Sequence, residues 1–214
     1  MSPKPNDNSA GTAVFDAPAG PSEVVIISDD SVNAEWVAAD MMAQAEHDEM
    51  AQSIVISPDK AHLQAVKESL TRLLPNTPRA NIIRRSLEVR GALILAHNLT
   101  DCCRIADDIA AEHVQVMCAN AQEIADNIRN PGGIFIGKHS CAPLGDYCAG
   151  PNHVLPTAGA ARMFSPLGTG VFYKRTGILE AGAQGAEPLV NIATQIAEAE
   201  GLLAHAQAAR LRLK

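Results

Sequence analysis

The chain has 214 residues, enough for one or two domains with a sizeable core. Apolar residues make up 47% and charged residues 19%, and no apolar run approaches the roughly 18 residues of a membrane-spanning helix. The net charge is −7 and aromatic residues are 3%, so the sequence offers neither a basic stripe nor stacking side chains for nucleic acid. We therefore expect no membrane partner, no nucleic-acid partner and, because the polar start resembles no targeting signal, a cytoplasmic location.

The cysteines predict neither disulfides nor a thiolate metal site. Their number, five, is odd, and Cys102 and Cys103 are adjacent, which fits no disulfide framework. No CxxC pair is present to suggest zinc bound by sulfur. We expect reduced cysteines that act as small apolar residues.

Short apolar runs alternate with amphipathic segments along the chain. Residues 1–13 predict a disordered leader, because Pro, Asn, Ser and Gly dominate there. Strands are predicted at 23–28, 52–57, 92–97, 113–118 and 133–137. Helices are predicted at about 32–47, 60–74, 79–88, 100–110 and 120–129. Ser31 is the predicted N-cap of the first helix.

This order predicts an α/β fold with a parallel sheet and helices on both faces, an incomplete Rossmann-like architecture over residues 14–170. Ligands of such sheets bind beyond the carboxyl ends of the strands. Residues 138–170 lack periodicity and predict a long functional loop, since loops of that length are otherwise disordered. Residues 171–214 predict a helical tail.

Gln44 and His47 stand three residues apart near the end of the first helix, so they share one face. An imidazole and an amide oxygen can both bind a metal ion. The alternative is a histidine that caps helix carbonyls or faces water.

Glu112 and His113 stand at a helix-to-strand junction, where they could form a general acid/base pair. Successive strand residues point to opposite faces, so both reach one site only if the backbone is irregular there. The alternative is a solvated pair at the end of a loop.

Two further pairs lie towards the carboxyl terminus. Asp146 and His153 occur in a loop shaped by Gly and Pro, which is either a positioned site or an ordered surface loop. Glu200 and His205 would stand about 140° apart on a regular helix. A shared site therefore needs a break, which Gly201 permits, and the alternative is a surface helix.

Several long segments together resemble the histidinol dehydrogenase family. They are DAPAGPSEVVIISD, VAADMMAQAEHD, IAAEHVQV, LGDYCAGPNHVLPTAGAARMFSPLG and AEGLLAH. They stand in the order and spacing of that family, from about residue 14 to the carboxyl terminus.

The resemblance implies the NAD-dependent oxidation of L-histidinol to L-histidine in two steps, through an aldehyde, at a zinc site. It implies zinc ligands at Gln44, His47, Asp146 and His205, with the metal orienting the substrate. It implies that His113 takes the alcohol proton and that Glu112 activates water. The implied substrate-binding residues are Ser22, Gln44, His47, His113, Asp146, His153, Glu200 and His205.

The resemblance also indicates what this chain lacks. Family members are about twice as long, and their amino-terminal half, with the NAD-binding domain, has no counterpart here. No GxGxxG loop replaces it, so the cofactor-binding residues are unknown and the activity of the chain alone is an open question. We expect a homodimer with shared sites, in which the tail packs on the partner, and a separately encoded amino-terminal half is a further candidate partner. The alternatives are a relative that oxidises another small alcohol and a zinc-binding, non-redox remnant or partner protein.

Overall fold

In the computed structural model, which describes residues 19–213, the five predicted strands form one parallel sheet. The leader predicted at residues 1–13 lies outside the described residues. The strands are β1 (Glu23–Ser28), β2 (Gln52–Ser57), β3 (Gly91–Leu95), β4 (His113–Met117) and β5 (Gly133–Ile136). Their order across the sheet is β3-β2-β1-β4-β5, and β1 pairs with β4 so that Val24 lies opposite His113. The predicted α/β parallel sheet is confirmed.

The helices are α1 (Ala34–Ala45), α2 (Lys60–Leu73), α3 (Ala80–Arg90), α4 (Leu99–Ile109), α5 (Ala121–Ala125), α6 (Ala142–Tyr147), α7 (Ala183–Ala199) and α8 (Leu203–Arg210). The first five helices fall close to their predicted positions, α7 and α8 lie in the predicted helical tail, and α6 lies in the segment predicted as a loop. Helix α5 is shorter than predicted because Asp107 accepts the backbone N–H groups of Arg129 and Asn130, at 2.7 and 2.9 Å. Those donors are therefore not available to a longer helix.

The N-cap of α1 is Asn33, not the predicted Ser31. The Asn33 side chain accepts a hydrogen bond from the backbone N–H of Glu35. Ser31 instead donates its backbone N–H to Asp29 Oδ1 at 3.0 Å. Ser31 therefore belongs to the turn that leaves β1, and the helix begins three residues later than that serine.

The sheet is buried on both faces, as its β-branched strands require. On one face, Val25 and Val114 pack in a cluster that includes Cys102 and Ala106 of α4. On the other, Val24 and Ile26 pack with Val37 and Met41 of α1, and with Val66 of α2. Burial raises the pKa of the Cys102 thiol to about 12, consistent with a small apolar role.

The chain divides into two units, one ending at Phe172 and the other beginning at Tyr173. In the second, α7 and α8 are joined through Gly201, whose φ is +75°. Ala197 and Ala206 are buried, whereas Leu189, Ile192 and Ile196 are 52 to 56% exposed. No helix within residues 19–213 has the length and apolar content that crossing a lipid bilayer requires.

Candidate functional site at the amino end of the sheet

Glu112 is held at the point where two neighbouring strands begin. It directly precedes β4, while Ser22 directly precedes β1. Ser22 Oγ donates to Glu112 Oε2 at 2.6 Å, and the backbone N–H of Glu23 donates to the same oxygen at 3.1 Å. Because Glu112 precedes the regular strand, its side chain does not have to point to the face of the sheet opposite His113. Its Oε2 lies 3.5 Å from His113 Nδ1, so the irregular junction brings the predicted pair together.

His113 has a defined tautomer. Its Nδ1 lies 3.1 Å from the backbone oxygen of Glu23, and a carbonyl oxygen can only accept a hydrogen bond. Nδ1 therefore carries the proton, and Nε2 of the neutral ring presents a lone pair. Nε2 is buried with no hydrogen-bond partner among the described residues, although Asp146 Oδ1 lies 3.4 Å away. Such an atom can accept a proton from a bound substrate.

Asp146 lies on α6, a helix that the aperiodic sequence did not predict. Its Oδ1 lies 3.0 Å from His153 Nδ1, and its side chain is 11% exposed. Helix α6 approaches β5 closely, because a Cβ on Gly145 would stand 2.5 Å from the Phe135 ring. The Phe135 ring in turn lies against that of His113, with centroids 5.8 Å apart. Gly145 therefore sets the position of Asp146 relative to His113.

Gln44 and His47 lie at the carboxyl end of α1. Gln44 is 4% exposed, and its Nε2 has no hydrogen-bond partner within residues 19–213. His47 is exposed and follows the last helical residue by two positions. Both line a cavity of about 10 Å³, the size of one water molecule. Its lining is Val24, Asp40, Ala43, Gln44, His47, Gln115, Ala142, Pro143 and Asp146.

Glu200 and His205 belong to the second unit, which begins at Tyr173. Glu200 is the C-cap of α7, and His205 lies within α8. The left-handed backbone of Gly201 separates the two helices, so the break that a shared role requires is present.

Sequence patterns alone missed Asp40 and Gln115. Asp40 stands one helical turn before Gln44, and Gln115 stands two residues after His113 on the same face of β4. Asp40 Oδ2 accepts a hydrogen bond from Gln115 Nε2 at 3.3 Å. The helical spacing of Asp40, Gln44 and His47 could have identified Asp40 from the sequence. No comparable spacing identifies Gln115, which is a single polar residue on a buried strand.

The cluster lies at the opposite end of the sheet from the one predicted. Ser22, Glu112 and His113 all stand where their strands begin, whereas the general rule for parallel sheets favours the carboxyl ends. At the carboxyl end, Asp29 occupies the turn after β1. Its Oδ2 accepts from the backbone N–H of Ala119 at 3.1 Å and its Oδ1 from that of Ser31. The Asp29 carboxylate thus accepts the backbone N–H groups that an anionic ligand would otherwise bind.

The donor chemistry around the small cavity fits a divalent metal ion. Gln44 can present an amide oxygen, His47 an imidazole nitrogen and Asp146 a carboxylate. The Gln44 atom that is buried without a hydrogen-bond partner among the described residues is Nε2, which cannot bind a cation, so only the amide oxygen of Gln44 can serve as a ligand. Within the part of the chain that the structure describes, no three His, Cys, Asp or Glu side chains are already assembled for a metal.

Comparisons with known proteins agree with the resemblance of the sequence. The chain matches the family described as "Histidinol dehydrogenase" over residues 8–213. It is 48% identical over 204 residues to a histidinol dehydrogenase of Burkholderia lata, covering 95% of this chain and 47% of that protein. It is 50% identical over 202 residues to that of Nitrosomonas europaea, covering 94% and 47%.

The fold is similar to a crystal structure of histidinol dehydrogenase from Elizabethkingia anophelis, with a TM-score of 0.83 and 35% identity. That match covers 92% of this chain and 46% of the other, so the chain spans about half the length of the relatives it matches. The family match extends over nearly the whole chain, and identities near 50% accompany it. The chain therefore belongs to the histidinol dehydrogenase family.

Proposed function

We propose that this chain is the metal- and substrate-binding, carboxyl-terminal half of a histidinol dehydrogenase. The assembled enzyme would oxidise L-histidinol to L-histidine in histidine biosynthesis. The observation that carries the proposal is the convergence of Ser22, Glu112, His113 and Asp146 at one end of the sheet. The resemblance implies roles for these four residues, and His113 Nε2 among them is buried without a hydrogen-bond partner in the described part of the chain.

The protons of the reaction are assigned to two side chains. His113 Nε2 accepts the hydroxyl proton of the alcohol, and Nδ1–H, held by the Glu23 carbonyl, keeps that nitrogen free to do so. The Glu112 carboxylate accepts a proton from the water that adds to the aldehyde. The hydroxyl of Ser22 donates to Glu112, so its lone pairs are available to a substrate amine.

Zinc would be held by Gln44, His47 and Asp146, together with His205. When bound, it supplies a positive centre that orients the amine and imidazole of the substrate. Asp146 stands near both His113 and His153, which connects the metal ligands with the proton acceptor.

The described residues do not fit the phosphates of NAD. The turn after β1 reads SDDS, with no glycine-rich loop, and Asp29 already takes the amides there. The hydride acceptor therefore needs residues outside this set, and we assign NAD binding to the amino-terminal half of the assembled enzyme. The same observation supports the second candidate, a zinc-binding protein that carries out no hydride transfer by itself.

The test of function separates metal binding from turnover. We expect the purified chain to bind one zinc ion, and His47→Ala to lose it, while His97→Ala, an exposed histidine away from the cluster, keeps it. Equal zinc in wild type and His47→Ala would contradict the ligand assignment. Because positioning of a hydride acceptor can contribute roughly 7–11 kcal/mol, the chain alone should reduce NAD poorly with L-histidinol. The amino-terminal half of a relative, added in trans, should restore the reaction.

Turnover by the chain alone at ordinary rates, of order 1–10 per second, would contradict the assignment of NAD to the other half. Zinc and L-histidinol binding without turnover, even with the added half, would favour the non-redox candidate. Faster turnover of a different small alcohol than of L-histidinol would instead favour the alternative of a relative that oxidises another small alcohol.

The assembly that we propose is a homodimer with shared sites, in which His205 and Glu200 reach the partner's ligands. Its support is the row of Leu189, Ile192 and Ile196 on α7, each more than half exposed. Mixing His205→Ala with His47→Ala chains should restore some intact zinc sites after subunit exchange. A monomer by light scattering at micromolar concentration would contradict this assembly.

A further inference from the structure

The backbone of Glu23 binds both members of the proton-transfer pair, Glu112 and His113. Its N–H donates to Glu112 Oε2 at 3.1 Å, and its carbonyl oxygen accepts from His113 Nδ1 at 3.1 Å. The regular pairing of β1 with β4 begins one residue later, where Val24 lies opposite His113. On the side that faces β4, side chains therefore replace the ladder hydrogen bonds of Glu23. The orientation of both members of the pair thus depends on where this one residue is held.

The Glu23 side chain is bound to a distant part of the chain. Its Oε2 accepts a hydrogen bond from the backbone N–H of Ala158 at 3.2 Å. Ala158 has a left-handed backbone, with φ at +56°, a conformation that an alanine keeps only where surrounding contacts hold it. Burial raises the pKa of the Glu23 carboxyl, and the backbone N–H groups of Ala158 and Glu112 oppose that rise.

This alanine belongs to a segment, residues 155–162, which we call the brace. At one end of the brace, Leu155 lies against the start of β5, where a Cβ on Gly133 would stand 3.2 Å from Leu155 Cδ1. At the other end, the guanidinium of Arg162 donates to the backbone oxygen of Asp108, near the end of α4. Strands β1 and β5 flank β4 in the sheet, and α4 leads into β4. The brace is therefore attached on every side of the place where β4 begins.

We propose that Glu23 is a positioning residue, whose side chain couples the brace to the proton-transfer pair. The inference rests on the proposed roles of Glu112 and His113. It adds a residue that holds the pair, beyond those that move protons or bind the metal and the substrate. Without the carboxylate, the first residue of β1 is no longer attached to the brace, and the peptide that binds the pair gains freedom to move.

The first test measures how firmly His113 is held, on the 214-residue chain without metal or substrate. Nitrogen-15 NMR of the histidine-labelled chain near pH 7 follows the exchange of the Nδ1 proton with water, and His113→Asn identifies the signal. In Glu23→Ala the carbonyl that binds this proton is less firmly held. Because one hydrogen bond changes such an opening equilibrium about 5-fold, we expect exchange to be about 5-fold faster. An unchanged rate would overturn the proposal.

Two variants separate the tether from the loss of charge and from the loss of a side chain. Glu23→Gln keeps an oxygen that can accept from Ala158, so the exchange rate should stay at the wild-type value. Gln52→Ala shortens the residue that is paired with Glu23 at the start of β2, and it should also keep the wild-type rate. Exchange in either variant as fast as in Glu23→Ala would overturn the proposal, because charge or side-chain bulk alone would then explain the effect.

The far end of the brace provides a second variant, which serves even where Glu23→Ala does not fold. Arg162→Ala removes the donor to the Asp108 carbonyl, and it should speed exchange of the His113 proton about 3-fold, since this arginine is exposed. The matched control is Arg104→Ala, an arginine of α4 that binds the side chains of Asp101 and Asp108. A wild-type rate in Arg162→Ala would overturn the brace.

Turnover separates this proposal from the proposed function. In the enzyme assembled with the amino-terminal half of a relative, Glu23→Ala should lower kcat about 10–100-fold, because small misplacements of reacting groups have effects of that size. The KM for L-histidinol and the zinc affinity should stay within about 3-fold of wild type, since the tether does not include the metal ligands. A loss of zinc, or a raised KM with an unchanged kcat, would overturn the assignment to the proton-transfer pair.

The two kinds of measurement fail in different ways. If the wild-type assembly has no turnover while exchange in Glu23→Ala is faster as expected, the proposed function is wrong and the tether stands. If the wild-type assembly turns over and exchange in Glu23→Ala is unchanged, only the tether is wrong.

Discussion

The two ends of the same parallel sheet differ in how far their polar groups are satisfied. At the carboxyl end, Asp29 accepts the backbone N–H groups of Ser31 and Ala119, and His62 Nε2 lies 3.1 Å from Ser28 Oγ. Burial lowers the pKa of His62, which favours its neutral form. At this end the protein completes its own hydrogen bonds, and little is left for a ligand.

At the amino end, three side chains have buried atoms without partners within the described residues. These are Gln44, His113 and Gln115. Each such atom costs free energy in the folded chain, so it persists where a ligand completes it or where strain serves a function. At this sheet, the unsatisfied buried atoms gather at the candidate site, at the end opposite to the one that the general rule for parallel sheets favours. Variants at each end test whether the two ends are independent.

The largest expected effect is the loss of the proton acceptor. His113→Asn keeps a donor for the Glu23 carbonyl but offers no basic nitrogen, so turnover by the assembled enzyme should fall about 10²–10⁴-fold. Zinc affinity should change little. His139→Asn is the control at the carboxyl end, where that ring lies 5.7 Å from Trp36. A similar loss of turnover in the control would show that the ends are coupled.

The next effect is a pH-dependent gain in stability from Asp40→Asn. The folded-state pKa of Asp40 is raised to about 6, above its ordinary value of 3.8, so the folded chain holds this proton more tightly than the unfolded chain. The free energy of unfolding should therefore fall as the pH rises from 4 to 7, by roughly 3 kcal/mol from this group. Urea titrations of Asp40→Asn should show that this part of the decrease is removed. Equal pH profiles of the variant and the wild type would contradict a raised pKa at this partly buried carboxyl.

A smaller effect is expected from crowding α6 against β5. In Gly145→Ala the new Cβ would meet the Phe135 ring at 2.5 Å, so the ring or the helix must move. Overpacking of this kind costs about 1–3 kcal/mol of unfolding free energy, and the shift of Asp146 should also weaken zinc binding. Gly170→Ala, where nothing lies within 4 Å of the added atom, is the control. Unchanged zinc affinity in Gly145→Ala would show that the position of α6 does not affect metal binding.

The smallest effect is expected at the carboxyl end. Asp29→Ala leaves two backbone N–H groups without their acceptor, in a turn partly open to solvent, and should cost about 1 kcal/mol of unfolding free energy. Zinc affinity and turnover should stay at wild-type values. A clear loss of either would mean that this end of the sheet contributes to the site.

The amino-acid sequence determined the framework on its own. Continuous β-branched runs such as EVVIIS predict buried parallel strands, and all five strands lie within two residues of their predicted bounds. The family motifs also identify the chain and name the residues of the candidate site. Local signals were weaker at boundaries: Ser31 was the predicted N-cap of the first helix, whereas the Asn33 side chain accepts the backbone N–H of Glu35 there.

Tertiary structure decided the rest, because it depends on contacts between residues far apart in the chain. Helix α6 has little periodicity of its own, and it forms where Gly145 lets it approach Phe135. The tautomer of His113 depends on the Glu23 carbonyl, and the pKa of Asp40 depends on burial beside Gln115. The packed geometry also decides which end of the sheet keeps unsatisfied polar atoms. Hydrogen bonds between distant segments leave no periodic pattern in the sequence, so the sequence could not predict that end.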